Sequence, residues 1–148
     1  MENRENTQLF RNRHSLAHVL LMAIKKHYPE ALPTIGPVID TGFYYDVDFG
    51  TKKVTPEDLL VLEETMRTIL KEHHEFKVEN VSQEKDLTLF SNNPFKVELI
   101  SSIVDSNEGI TLYHTGTDFF DLCEGPHVEN TKEIPVDSFK LTSVAGAY

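Results

Sequence analysis

The chain has 148 residues, 39% of them hydrophobic and 26% charged, which suits one compact domain and excludes a disordered or low-complexity segment. A formal charge of −10 excludes a module that grips nucleic acid unaided, because such binding depends on Lys and Arg displacing phosphate counterions. The longest nearly apolar stretch, Leu16 to Ile24, is too short to span a bilayer, so no membrane partner is expected, and the single cysteine, Cys123, points to a reducing cytoplasmic setting.

From Leu9 to Tyr28, apolar residues Leu16, Val19, Leu20, Ala23 and Ile24 recur at three- and four-residue steps before Pro29, which predicts an amphipathic helix. Phe43, Tyr45, Val47 and Phe49 alternate with Tyr44, Asp46 and Asp48 after turn signals at Gly36-Pro37 and Thr41-Gly42, which predicts a half-buried strand. Thr55-Pro56-Glu57-Asp58 supplies a cap, an initiating proline and two first-turn acids for a second helix with core positions Leu59, Leu62, Met66 and Ile69. A strand is predicted over Phe76 to Val81 and a short helix after Asn93-Pro94 carrying Leu99, Ile100 and Ile103. Ile110 to Tyr113 and Phe119 to Cys123 read as strands about a His114-Thr115-Gly116-Thr117 turn, and Phe139 to Val144 as a final strand. Helices mixed with largely adjacent strands predict an α+β fold, an antiparallel sheet with packed helices.

His14 and His18 stand one helical turn apart, so both imidazoles leave the same face with Cβ atoms roughly 5–6 Å apart. Cys123-Glu124-Gly125-Pro126-His127 places a thiol and a third imidazole across a Gly-Pro turn. Three imidazoles and a thiolate form a chemically sensible zinc set; four protein ligands would make it structural, an open position catalytic, and the sequence leaves both readings open. Ser15 stands where the zinc-protease motif needs a glutamate, which argues against peptidase chemistry. His27, His73, His74 and His114 read as solvated or packing residues, and Glu57, Asp58, Glu63 and Glu64 as a solvated helix face.

Five motifs in register, His14-Ser15-Leu16-Ala17-His18, Ile35-Gly36-Pro37-Val38, Gly42-Phe43-Tyr44-Tyr45-Asp46, Asp121 to His127, and Ala145-Gly146-Ala147-Tyr148, closely resemble the threonyl-tRNA synthetase editing domain. The resemblance runs from about Arg11 to Tyr148 and implies an α+β editing-type domain over 1–148, excised from a longer synthetase. It implies a pocket, similar in outline to that of alanyl-tRNA editing domains, between the first helix and the Cys-to-His turn. His14, His18, Lys96, Cys123 and His127 would be catalytic, with Tyr45 and Asp121 as pocket residues. Read without the resemblance, the alternatives are a core residue for Tyr45, a surface lysine for Lys96 and a turn cap for Asp121. Glu124 departs from the resemblance, since that position is often basic in the family, and this puts one RNA phosphate contact in doubt.

The implied reaction is hydrolysis of the ester in seryl-tRNA for threonine, sparing threonyl-tRNA. A synthetic site cannot strongly exclude a substrate lacking one methyl group, a difference of about 1–3 kcal/mol, so a second sieve is needed. His14 or His18 would orient water, Lys96 would meet the terminal ribose or the developing charge, Asp121 the ammonium or hydroxyl, and Cys123 with Tyr45 the wall against threonine. Alanyl relatives use the His14, His18, Cys123, His127 set for metal, whereas the threonyl kind implies that zinc is not required. Expected partners are the 3′ end of the threonine tRNA carrying serine and the remainder of the synthetase. Two alternatives stand: a zinc-dependent alanyl-type trans-editing deacylase, and a non-catalytic module that binds the tRNA end.

Overall fold

The structure, a computed structural model, describes residues 7–105, 109–117 and 119–145. Helix α1 (Gln8–His27) starts where the Thr7 side chain accepts the Phe10 N–H, and the predicted stripe from Leu16 to Ile24 is buried. Helix α2 (Pro56–Lys71) opens on a Thr55/Asp58 capping box and buries Leu62, Met66, Ile69 and Leu70, while Leu59 stays half-buried. These two helices pack on each other and form most of the main core with Phe76, Val128, Ile134 and Phe139.

One acid on α2 departs from the solvated face expected of it. Glu63 is buried, because it accepts the Leu141 N–H at 2.9 Å and pairs with Arg67 at 2.8 Å. The hydrogen bonds and the charge of Arg67 hold its carboxyl below the usual range although burial pushes the other way. The same contact explains why Phe139 to Val144 forms no strand among the described residues. Phe139 fills the core beneath the Arg67 guanidinium, 5.5 Å from the ring centroid, and the next segment is tied to α2 by a side chain instead of a ladder.

Residues 32–48 form an irregular antiparallel arm in place of one continuous strand. Strand β1 (Leu32–Pro33) pairs with β4 (Val47–Asp48), and β2 (Val38–Ile39) pairs with β3 (Gly42–Phe43). Between these ladders four residues, 34–37, face three, 44–46, so the first side carries one extra residue, a bulge. Thr34 N–H donates to Asp46 O, Asp46 N–H to Ile35 O and Tyr44 N–H to Pro37 O, which holds the arm together across the break. The alternation still holds for packing: Phe43, Tyr45, Val47 and Phe49 lie against the main core, and Tyr44 and Asp48 are exposed.

The three-stranded antiparallel sheet has order β5-β6-β7, with β5 (Phe76–Val81), β6 (Ile110–Thr115) and β7 (Phe119–Leu122). Strand β6 runs to Thr115, further than predicted, and Gly116 takes the turn at φ 67, where a Cβ would also meet the His74 ring at 2.5 Å. One face carries Leu112, Phe120 and Leu122 against a second core cluster with Phe90 and Ile100. On that side lie α3 (Gln83–Leu89), which the periodicity did not predict, and α4 (Pro94–Asp105), which it did. The opposite face carries Tyr113 and Asp121, which are cross-strand partners, toward α1. The fold is α+β with antiparallel sheets and packed helices.

Candidate active site

Helix α1 and the end of β7 meet at the four residues that the sequence paired only two by two. Ligand-capable atoms of His14, His18, Cys123 and His127 all lie within 4.8 Å of one another. Cys123 reaches this place because its N–H extends the ladder to Thr111 O at 3.1 Å, keeping its side chain on the Asp121 face of β7. His127 returns to the cluster through the cis Gly125–Pro126 peptide, with Gly125 at φ 79, where a Cβ would meet the Tyr113 hydroxyl at 2.4 Å. Only glycine permits that approach.

His127 is held on every side. Its ring stacks on His14 at 4.3 Å and on Phe76 at 4.9 Å, and the Tyr113 ring meets it edge-on at 4.5 Å. Cys123 Sγ lies 3.1 Å from His127 Nε2 and 3.3 Å from His14 Nε2. Burial holds the His127 imidazole well below its ordinary value and lowers His18 to about 4, although Asp121 pulls His18 the other way. Burial pushes the Cys123 thiol up to about 12 against the opposing Gly125 N–H. At neutral pH His18, His127 and the thiol are therefore uncharged.

A second group closes the other side of the cavity. Lys96, on the second residue step of α4 after Pro94, is only 1% exposed and so is no surface lysine. Its ammonium donates to Thr34 O at 2.5 Å and Tyr45 OH at 3.2 Å and pairs with Asp121 Oδ1 at 2.9 Å, which engages all three of its N–H directions. Tyr45 OH donates to Asp121 Oδ2 at 2.5 Å, and the Leu122 N–H donates to Oδ1 at 2.9 Å. Burial, followed by the Asp121 charge, raises the Tyr45 phenol above its ordinary value, so it remains a donor. Asp121 is thus a charged acceptor with spare capacity on Oδ2, and not a turn cap.

The bulge in the arm brings Tyr45 here. A Cβ at Gly36 would lie 2.4 Å from the Tyr45 ring, so the extra residue on that side has to be this small for the chain to run across the aromatic face. His14, His18, Tyr45, Lys96, Asp121 and Cys123 all line one cavity of about 340 Å³, completed by apolar Ile35, Leu99 and Ile103. That volume and mixture suit a small polar group entering an apolar cleft.

All seven predicted site residues border this cavity or its wall, and Glu124 lies at its edge. Ser15, Thr34, Gly36 and Tyr113 support them and were not predicted as site residues. Gly36-Pro37 was legible as a turn, but nothing in the sequence showed that the turn would lie on Tyr45. Ala145 is the last described residue, so Gly146-Ala147-Tyr148 of the fifth motif lie outside the described residues.

The donor set fits zinc, with three imidazole nitrogens and one sulfur close enough to converge on one ion. His14, His18, Cys123 and His127 would hold it, and a bound ion would act as a Lewis acid toward water or a carbonyl oxygen.

Residues 110–146 match the family model described as the threonyl and alanyl tRNA synthetase second additional domain. The chain is 45% identical over 140 residues to a threonine–tRNA ligase of Borrelia hermsii, covering 95% of this chain and 24% of that protein. It is 46% identical over 136 residues to a threonine–tRNA ligase of Dehalococcoides mccartyi, covering 92% of this chain and 22% of that one. The chain is thus similar to this family of second additional domains over residues 110–146 and to threonine–tRNA ligases over nearly its whole length. Both of these relatives are threonine–tRNA ligases. The chain spans about a quarter of their length. No helix among the described residues is long and apolar enough to cross a membrane.

Proposed function

We propose that this chain is the proofreading module of a threonyl-tRNA synthetase and hydrolyses the ester of seryl-tRNA for threonine while sparing threonyl-tRNA. The observation that carries the reading is the joining of Asp121, Lys96 and Tyr45 to the His/Cys cluster across one small cavity. A module that only bound the tRNA end would not need a buried ion pair facing His18 and His127, whose burial keeps them neutral. Partners under this reading are the 3′ end of the charged tRNA and the remainder of a cytoplasmic synthetase, which would supply the cationic grip that a chain of charge −10 lacks.

Asp121 offers its remaining Oδ2 capacity to the ammonium or hydroxyl of serine. Tyr45 and Cys123 form the wall that the extra methyl of threonine would strike. Lys96 has no free N–H direction, so it acts by its charge and by holding Asp121 and Tyr45, and a direct ribose contact would require exchanging one of its present partners. Between the two histidines offered for water, His18 is favoured, because His14 already engages Pro126 O through Nδ1 and Cys123 through Nε2. With its pKa lowered to about 4, His18 orients water more than it deprotonates it, so the barrier falls mainly through positioning and stabilisation of developing charge.

The test is serine release from pre-charged threonine tRNA by wild type, His18→Ala and Asp121→Asn, with serine-charged alanine tRNA in parallel. The reading requires release from threonine tRNA that both variants lose. Preference for alanine tRNA would instead support the alanyl-type deacylase.

A further inference from the structure

Ser15 stands between the two helix histidines, wholly buried, and its hydroxyl bridges α1 to the returning turn. The Val128 N–H donates to its Oγ at 3.0 Å, and the same oxygen lies 3.1 Å from His127 Nδ1. Beyond its place in the His14 to His18 motif, the sequence assigns this residue no role and shows only that it stands where a zinc protease would carry glutamate.

The partners fix where the protons lie when the rings are neutral. Pro126 O can only accept, so His14 carries its proton on Nδ1, at 3.1 Å, and presents Nε2 as an acceptor. The Cys123 thiol then donates to His14 Nε2 across 3.3 Å. Its sulfur is left to accept, and it takes the Gly125 N–H at 3.3 Å and His127 Nε2–H at 3.1 Å. A neutral His127 with its proton on Nε2 has a bare Nδ1, and the hydroxyl facing that atom belongs to Ser15. The hydrogen bonds therefore run in one direction, from Ser15 through His127 and Cys123 to His14 and Pro126.

We propose that Ser15 is a positioning residue whose hydroxyl, donating to His127 Nδ1, holds His127 in the Nε2–H form and so aims the Cys123 thiol at His14. Metal ligation through His127 Nε2 needs the other tautomer, with Nδ1–H donating to Ser15 Oγ. A hydroxyl can turn to serve either state, which an alanine cannot. The Ser15–His127 bond is thus the one that would rearrange on loading, while His18 Nδ1, in the same cluster, is buried with no hydrogen-bond partner among the described residues.

The inference rests on the deacylase reading only for its kinetic consequence; the tautomers are independent of it. Two-bond nitrogen–proton correlation spectra of metal-free, nitrogen-15 histidine-labelled wild type should show His127 protonated on Nε2 and His14 on Nδ1. His127 protonated on Nδ1 in the metal-free protein would overturn the proposal, and this measurement needs no variant to fold. Ser15→Ala should shift His127 toward the other tautomer or a mixture and lower the rate constant for serine release roughly 10–100-fold, with KM little changed. A variant that keeps the Nε2–H signature would also overturn it. Wild type with the expected tautomers but no serine release would instead defeat the deacylase reading and leave this one standing.

Discussion

The ammonium of Lys96 lies 2.9 Å from a carboxylate oxygen of Asp121, with the two side chains 2% and 5% exposed. Such a pair is weak evidence for stability but expensive to break, since removing one partner strands the other charge, a loss of about 3–5 kcal/mol. Lys96→Met or Asp121→Leu alone should lower the melting temperature and abolish deacylation. The double variant Lys96→Met/Asp121→Leu should recover most of the melting temperature while remaining inactive. Recovery of serine release in the double variant would show that the pair serves the fold and not the reaction.

Gly36 tests whether the bulged arm aims Tyr45. Alanine there places Cβ 2.4 Å from the Tyr45 ring, and the ring must move away from Asp121 and Lys96. Gly36→Ala should reduce serine release to about the level of Tyr45→Phe, with little further loss when the two changes are combined. Additive losses in the double variant would mean that Gly36 acts elsewhere.

The elements readable in the sequence were those whose own residues decide them. Thr55-Pro56 and the stripe Leu62, Met66, Ile69 specify α2 with no help from the rest of the chain. The His14/His18 spacing specifies a shared face in the same way. Helix α3 was missed because its seven residues bury only Asp86, leaving no apolar stripe, and its local sign was the Ser82 side chain that accepts the Lys85 N–H. The strand expected at Phe139 to Val144 failed because Glu63 on a distant helix takes the Leu141 N–H. The union of two histidine-bearing motifs with Lys96 and Tyr45 is a tertiary event; the resemblance implied it, whereas spacing alone could not.

Asp86 makes stability depend on pH in an unusual direction. It is wholly buried and neither carboxylate oxygen has a hydrogen-bond partner among the described residues. Burial raises its carboxyl from 3.8 to about 6, with Lys96 opposing. Between these values the folded chain holds a proton that the unfolded chain releases, so this contribution is present below 3.8 and is lost as pH rises through about 6. Above that, the ionised carboxylate lowers stability by on the order of 2–3 kcal/mol. Asp86→Asn should raise the melting temperature at pH 7.5, and the gain should shrink as pH falls from 6 toward 4. A difference that does not vary with pH would contradict this account of Asp86.

Zinc loading of the cluster requires the Cys123 thiol, held up at about 12 by burial, to give up its proton, so any uptake should be coupled to proton release. Because resemblance to the threonyl kind implies no required ion, deacylation should survive a strong chelator, with metal content checked on the same sample by mass spectrometry. Activity lost on chelation and restored by zinc alone would place the reaction with the metal-dependent alanyl kind.

The most direct measurement is the pair of first-order rate constants for release of labelled amino acid from seryl- and threonyl-charged threonine tRNA, taken with the chain alone and with the chain joined to a tRNA-binding synthetase body. Faster release of serine than of threonine, in at least the joined form, is the predicted result. Equal rates for the two esters, or no release in either form, would contradict the proofreading role.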